Sequence, residues 1–579
     1  MFRMISNRQI ADAFDLLADL LRLKDAEGYR FEIIAYQRVA EALRELPRDV
    51  RALAAEGRLQ EIDGVGKAIA AKILELLEHG TLRLLEELKA EVPQGLVDVL
   101  RVNGVGPKRA MLFYQQLGIT SVAELEAAAR EGKLRTLPGM GAKSEQKILE
   151  SIAALARRTT RARADIALQA AERILRALQA LPNVLRAEIA GSLRRGRATI
   201  GDIDLLVATY TPAPIMDAFV NHPDVVRVLA QGETKSSVEL LSGLQCDLRA
   251  VPPERFGTAL SYFTGSQAHN IRLRELALQR GLSLNEWAFT ATDGSGREIL
   301  CASEEEVYAQ LDLPYIPPEL REDRGEIEAA QANALPNLIE ISHIRADLHM
   351  HTTWSDGRLS VREMAWQARE RGLQYIAITD HSQSLGVANG LSLERLLAQR
   401  EEIARVQAEF GDSLRIYHGI ELEIRADGTL DYPDEVLAAL DVVVASLHTG
   451  LRQDRATITA RLLNAINNPH VDIIGHPRGQ LIPEREPADL DMDAIFAAAL
   501  ATDTALEINA NPHRLDLDSA HARQALKLGI KLAINTDAHS AADFAVLPFG
   551  VRTARRAWAS PEQVINTWSR ERFEEWIRA

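Results

Sequence analysis

The sequence predicts a multidomain chain: helical N-terminal domains, a mixed α+β centre, and a C-terminal α/β domain of distorted βα-barrel type. Three observations carry this. Over roughly the first 160 residues apolar side chains recur at helical spacing, as in Ile10, Phe14, Leu17 and Leu21. From about residue 184 short β-rich runs take over, among them AEIAGS, DIDLLVA and LQCDLRAVP. Beyond a Pro- and charge-rich stretch, runs such as YIAITDH, DVVVASLH and KLAINTDAH alternate with helical segments, the grammar of a parallel sheet.

Length and composition set the bounds. At 579 residues the chain is too long for one core. Two cysteines, Cys246 and Cys301, rule out a disulfide framework and favour a reducing cytoplasm. The start, MFRMISNRQIADAF, lacks the apolar core of a signal peptide, and no run approaches ~18 uninterrupted apolar residues, so no membrane span is expected. The net charge of −15 does not exclude nucleic acid, because phosphate contacts depend on local basic patches.

In the helical region three glycine pairs break the pattern: DGVGKAIAAKI, NGVGPKRAMLF and PGMGAKSEQKI. Each Gly-x-Gly reads as a tight turn that exposes backbone amides at the next helix start, where they can cradle a phosphate without reading base sequence. One copy suits a plain helix corner. Three copies, two followed by basic residues (Lys67; Lys108 and Arg109), favour helix-hairpin-helix grips built on Gly64, Gly66, Gly104 and Gly106.

GSLRRGRATIGDIDLL carries the central chemistry. Ile203, Leu205 and Val207 alternate with Asp202 and Asp204, so a strand sends both carboxylates to one face. Like charges there persist cheaply with a divalent cation between them or with water in front of them. Solvated aspartates on an edge strand account for a lone Asp-x-Asp, but not for the preceding Gly191, Ser192, Arg194 and Arg195, which can hold an anion. Two-metal phosphoryl transfer needs a third carboxylate, and Asp247 in LQCDLRAV alternates with Leu244, Cys246 and Leu248.

The C-terminal runs end in metal-binding residue types: His349, His351, Asp356, His381, Glu421, His448, His476, Asp537 and His539. His-x-His places two imidazoles on one strand face, and strand ends converge at a barrel mouth. A lone histidine is more often a packed core residue. Nine such residues, in a region holding most of the chain's 14 histidines, are not explained that way. Asp380 is a candidate to orient a ligating histidine, and Arg478 and Arg514 are candidate phosphate contacts.

With these motifs the chain resembles, over essentially its full length, the bacterial family X DNA polymerases that carry a C-terminal PHP domain. The resemblance implies a helical DNA-binding domain over 1–92, a fingers-like helical domain over 93–160, a nucleotidyltransferase palm over 161–256, a thumb over 257–317, a linker over 318–342 and a PHP domain over 343–579. It implies Mg²⁺ on Asp202, Asp204 and Asp247, and up to three Mn²⁺ or Zn²⁺ ions on the nine C-terminal residues. YFTGSQAHNIRLR is similar to the family's nucleotide-contacting helix. Tyr262 and Phe263 would then lie against the incoming sugar, Gly265 would belong to the nucleotide-binding set, Asn270 would reach the nucleotide's minor-groove edge and Arg274 the template, while Gln267 stands where some relatives carry a charge. Lys72 occupies the position of a Schiff-base lysine in related repair enzymes, but Glu32 and Ala68 replace neighbouring basic residues, which implies weak or absent lyase activity. The activity implied is gap-filling synthesis in DNA repair with 3′-5′ exonuclease or 3′-end processing. Its substrates would be gapped or primer-template DNA and deoxynucleoside triphosphates, acted on by a cytoplasmic, monomeric protein. The alternative is a PHP nuclease or phosphatase whose polymerase half only binds DNA, and the intact aspartates speak against it.

Overall fold

The computed structural model describes residues 5–44, 46, 48–100, 102, 104–155 and 161–578, and the chain divides into two compact units, Met1–Arg158 and Thr159–Ala579. The described residues of the first unit are helical wherever they are regular. Its first helix, Asn7–Asp25, starts at a Ser6–Gln9 capping box and buries Ile10, Phe14, Leu17 and Leu21 against Tyr36, Val39 and Leu43 of Arg30–Arg44. All three glycine pairs share one geometry. The first glycine is left-handed (φ +74° at Gly64, +87° at Gly104, +72° at Gly139), and a helix begins at or just after the second. Gly66 and Gly106 are the N-caps of Lys67–His79 and Pro107–Leu117, and neither can offer a side chain to the orphan amides of the first turn.

The second unit is built around two sheets. The first has strands β1 (Arg186–Ile189), β2 (Asp202–Ala208), β3 (Val225–Gln231), β4 (Lys235–Leu240) and β5 (Gln245–Val251), in the order β1-β2-β5-β4-β3. Only β2 and β5 run parallel; their neighbours are antiparallel. Ile203, Leu205, Val207, Cys246 and Leu248 bury one face against helices Ala164–Gln179 and Pro212–Val220. Helices Phe256–Thr264 and Gln267–Gln279 and a small antiparallel sheet (Leu282–Leu284, Phe289–Ala291, Glu298–Ile299) follow. The stretch 318–342 is folded: Leu320, Arg321, Glu326 and Ile327 are buried, and its apolar residues share a core with Leu273, Phe289 and Tyr308.

The second sheet has seven parallel strands in sequential order: β6 (Ala346–Asp347), β7 (Tyr375–Ile378), β8 (Arg415–Glu423), β9 (Val442–Ser446), β10 (Ile473–Gly475), β11 (Ala505–Asn509) and β12 (Leu532–Asn535). It closes on itself beyond β6 and β12, where Met350 bridges Ala538 and the His351 N–H donates to the Ala538 carbonyl (2.8 Å). Alternate residues feed two cores. Ile376, Ile378, Ile420 and Leu422 pack outward on the helices. Tyr375, Ala377, Tyr417 and Val444 point the other way, sharing a core with Ile565, Trp568 and Phe573 of the C-terminal segment. The β8 pleat that turns Tyr417 inward also turns Glu421 and Glu423 inward.

Candidate active sites

The register of β2 against β5 pairs Asp204 with Asp247 and Asp202 with Gln245, so all three carboxylates lie on one sheet face. Burial, with Asp202 and Asp247 beside it, pushes the Asp204 carboxyl up to about 7, and Asp202 is also raised, by burial and Asp247. Asp247 accepts from Gln245 Nε2 (2.8 Å) and lies 3.6 Å from Lys235 Nζ. Gly191 begins the short Gly191–Arg194 helix with φ +63°, and a Cβ there would stand 2.2 Å from Asp204 Oδ2. The glycine is therefore required twice, by its conformation and by the carboxylate pressed against it.

The two arginines of this loop differ from the clamps expected of them. Arg194 donates to the buried Glu304 (2.6 and 2.9 Å) and to Thr264 Oγ1 (2.8 Å), which removes it as an open anion contact. Arg195 is held at two of its three nitrogens, by Glu322 Oε1 (3.0 Å, from Nε) and the Thr264 carbonyl (2.9 Å, from Nη1), and its Nη2 has no protein partner among the described residues. Thr264 and Gly265 end the helix that bears Tyr262 and Phe263, whose rings meet edge to face at 5.1 Å. Asn270 Nδ2 donates to the Tyr262 carbonyl (2.6 Å), and a Cβ on Gly265 would come within 2.6 Å of Asn270 Oδ1. Arg249, not singled out from sequence, lies 4.1 Å over the Phe263 ring. Arg274 and Gln267 are exposed on the Gln267–Gln279 helix, and a small cleft between Tyr262, Asn270, Arg274 and Asn285 follows the same surface.

At the barrel mouth all nine expected residues converge. Glu421 occupies the centre: its Oε2 lies 2.8 Å from His381 Nδ1 and 3.3 Å from His349 Nε2, and its Oε1 lies 2.9 Å from His476 Nε2 and 3.3 Å from His448 Nε2. His351 Nε2 is 3.0 Å from Asp537 Oδ1, and Asp356 Oδ1 is 3.3 Å from His539 Nε2. The His351 ring stacks between His381 and His539 at 4.3 and 4.2 Å. Burial and these two imidazoles push His351 down to about 3. Burial opposes ionisation of Asp356, yet His539 and its neighbours bring that carboxyl down to about 2. Buried His349 Nε2, both His351 nitrogens, His381 Nδ1, His476 Nδ1 and Glu421 Oε2 make no hydrogen bond. Orphaned donors and acceptors facing one another in a buried nest fit divalent cations. Three overlapping groups have atoms close enough to hold an ion: His351, Asp356, His381 and His539; His349, His351 and Glu421; His381, Glu421 and His448.

The supporting carboxylates are not the one expected. Asp380 accepts from the backbone and hydroxyls of Thr352 and Ser355 and from Gln399, so it fixes a turn rather than a histidine. Glu507 takes His349 Nδ1 (2.8 Å) and the His476 N–H (2.7 Å), and Glu423 takes His448 Nδ1 (2.7 Å). Sequence reading missed both; the available signal was an acidic residue within the apolar run of β11 for Glu507, and one at even spacing from Glu421 at the end of β8 for Glu423. Arg478 is paired with Asp518. Arg514 reaches the site: its Nε is 3.7 Å from Asp537 Oδ2, and its buried Nη1 has no partner.

In the first unit Lys67 and Lys108 are exposed at their helix starts, and Arg109 Nη1 donates to the Gly104 carbonyl (2.6 Å), bracing that turn. Lys72 Nζ lies 6.0 Å over the Tyr36 ring. Glu32, one turn before Tyr36, contributes to raising that phenol after burial.

Comparison with known proteins agrees with this layout. Residues 5–82 match the helix-hairpin-helix domain, 96–154 the SAM-like helix-hairpin-helix tandem, 259–322 the DNA polymerase beta thumb and 347–510 the PHP domain. The DNA polymerase/3′-5′ exonuclease PolX of Bacillus subtilis (strain 168) is 40% identical over 550 residues, 95% of each chain. A probable phosphatase of Thermoanaerobacter sp. (strain X514) is 31% identical over 233 residues, 38% of this chain and 89% of the relative. DNA polymerase lambda of Rattus norvegicus is 26% identical over 343 residues, 55% of this chain and 56% of the relative.

Proposed function

The chain belongs to the PolX family of DNA polymerase/3′-5′ exonucleases, and from that premise we propose where each reaction takes place and on what. Synthesis is assigned to Asp202, Asp204 and Asp247, filling short gaps in repair on gapped or primer-template DNA. Removal or processing of 3′ ends is assigned to the nine residues of the barrel mouth. The observation that carries the first assignment is the parallel register that sets Asp247 beside Asp204. An all-carboxylate set suits Mg²⁺, and the imidazole-rich mouth suits Mn²⁺ or Zn²⁺, up to three ions. Bound there, the ions would neutralise phosphoryl oxygens and activate the attacking hydroxyl or water.

The chain's own residues do the rest. Gly191 and Ser192 present the loop backbone and a hydroxyl to the triphosphate, and Arg195 meets it through Nη2, which neither Glu322 nor Thr264 takes. Tyr262, Phe263 and Gly265 form the wall against the sugar. Asn270 serves the base edge and Arg274 the template strand. Asp202 and Asp204 would hold the ions, and Asp247 would lie by the primer 3′-hydroxyl as a ligand or base. In the barrel Glu507 and Glu423 fix the ring orientation of His349 and His448, so the opposite nitrogens turn inward. Arg514 offers its unpaired Nη1 to the phosphodiester. The glycine turns Gly64, Gly66, Lys67 and Gly104, Gly106, Lys108 grip the sugar–phosphate backbone. Among the described residues no helix is long and apolar enough to cross a membrane, and a cytoplasmic monomer is the proposed state. Two variants test the division of labour. Asp204→Ala should abolish primer extension and spare 3′-end degradation, and His349→Ala should do the reverse. Extension that survives Asp204→Ala would remove the first assignment.

A further inference from the structure

We propose that the barrel is a working part of the nucleotide-binding loop, and that Arg556 on its Leu547–Arg556 helix is a positioning residue that sets Arg195 for the incoming triphosphate. The inference rests on the assignment of Arg195 to the nucleotide made above.

Glu322 is almost fully buried and receives three guanidiniums: Arg195 Nε (3.0 Å), Arg197 Nη2 (2.9 Å) and Arg556 Nη1 (2.9 Å). Arg195 and Arg197 come from the loop after Ser192, Glu322 from the end of the thumb match, and Arg556 from the barrel's Leu547–Arg556 helix. Arg556 Nη1 also donates to the Arg195 carbonyl (2.8 Å), so it grips that residue by backbone and, through Glu322, by side chain. Gly196 completes the seat. It is left-handed (φ +72°), and a Cβ there would touch Arg552 Cβ (3.4 Å) and Arg556 Cδ (3.6 Å). Glu322 shares one negative charge among three guanidiniums, and Arg195 also acts on the Asp202 and Asp204 carboxylates, which places it where a triphosphate held on those aspartates would arrive. Burial disfavours the Glu322 charge, but Arg556 and the two loop arginines hold its carboxyl well below the ordinary range.

Arg556→Met leaves Glu322 with two partners, so no buried charge is stranded. Single-nucleotide incorporation into gapped DNA, measured across dNTP concentrations, should show KM raised about tenfold with kcat changed less than threefold. Degradation of 3′ ends by the same preparation should stay within twofold. Arg556→Lys should recover most of the loss. In an Arg195→Ala background Arg556→Met should add little, because its effect passes through Arg195. An unchanged KM in folded Arg556→Met would overturn the proposal, and so would a parallel fall of extension and degradation, the mark of a general structural prop. If Arg195→Ala itself leaves KM unchanged while Asp204→Ala abolishes extension, the assignment of Arg195 to the nucleotide fails, whatever Arg556 does.

Discussion

Gly191→Ala tests the coupling between the anion loop and the metal carboxylates with a single methyl group. Gly191 sits at φ +63°, where an alanine costs roughly 1–2 kcal/mol in backbone strain. Its new Cβ would lie 2.2 Å from Asp204 Oδ2, 3.1 Å from Cγ and 3.3 Å from Cβ. Ordinary contact begins near 3.4 Å, so the nearest oxygen must retreat by about 1 Å. The Asp204 backbone cannot shift to make room, since its carbonyl accepts the Ala190 N–H (2.8 Å) and its strand is paired on both sides, so the carboxylate itself must swing away. A displacement of about 1 Å at a reacting centre costs on the order of 10²-fold in rate. Single-turnover primer extension should therefore fall by about two orders of magnitude. Degradation of 3′ ends, assigned to the separate residues of the barrel mouth, serves as an internal control and should hold within twofold. A Gly191→Ala protein that extends primers within twofold of the parent would refute the argument, because it would mean the Asp204 carboxylate can move without consequence.

Three further outcomes are expected. Glu507→Gln should lower bound metal and 3′-end degradation by about 10–100-fold, read by metal analysis of the purified protein, while leaving primer extension alone; unchanged metal content would contradict the positioning role. Burial raises the Asp516 carboxyl from its ordinary 3.8 to about 7, so its contribution to stability is intact below about pH 4 and is lost as the pH climbs to about 7, by up to about 4 kcal/mol. Asp516→Asn keeps an acceptor for the Arg478 N–H (3.0 Å) and should gain on the parent in thermal stability across that window; a gain that does not grow with pH would show the shift is absent. Borohydride trapping on an incised abasic substrate should give at most a faint adduct, and a strong adduct lost in Lys72→Ala would establish the lyase.

The parts of this molecule that could be read from sequence are those decided by local periodicity. A two-residue repeat was enough to put Asp202 and Asp204 on one face, and strand ends were enough to collect nine ligands, because a closed parallel sheet brings those ends together whatever the loops do. Glu507 lies two residues inside β11, away from the strand ends where ligands collect, and Glu423 closes β8 two residues beyond Glu421, where it holds His448 rather than a metal. The arginine pair shows where periodicity stops. Two adjacent guanidiniums announce an anion nearby without saying which, and the choice is made by residues far along the chain. Glu304, 110 positions away, takes Arg194; Glu322, 127 positions away, takes Nε of Arg195; and Arg556, 361 positions away, donates to the Arg195 carbonyl. Each pairing exchanges hydration for a buried partner, so it is favourable only once the fold has delivered the carboxylate and removed the water. The free Nη2 of Arg195 is what Glu322 and the Thr264 carbonyl leave over, and a nucleotide site can be recognised by that remainder more securely than by the arginines themselves.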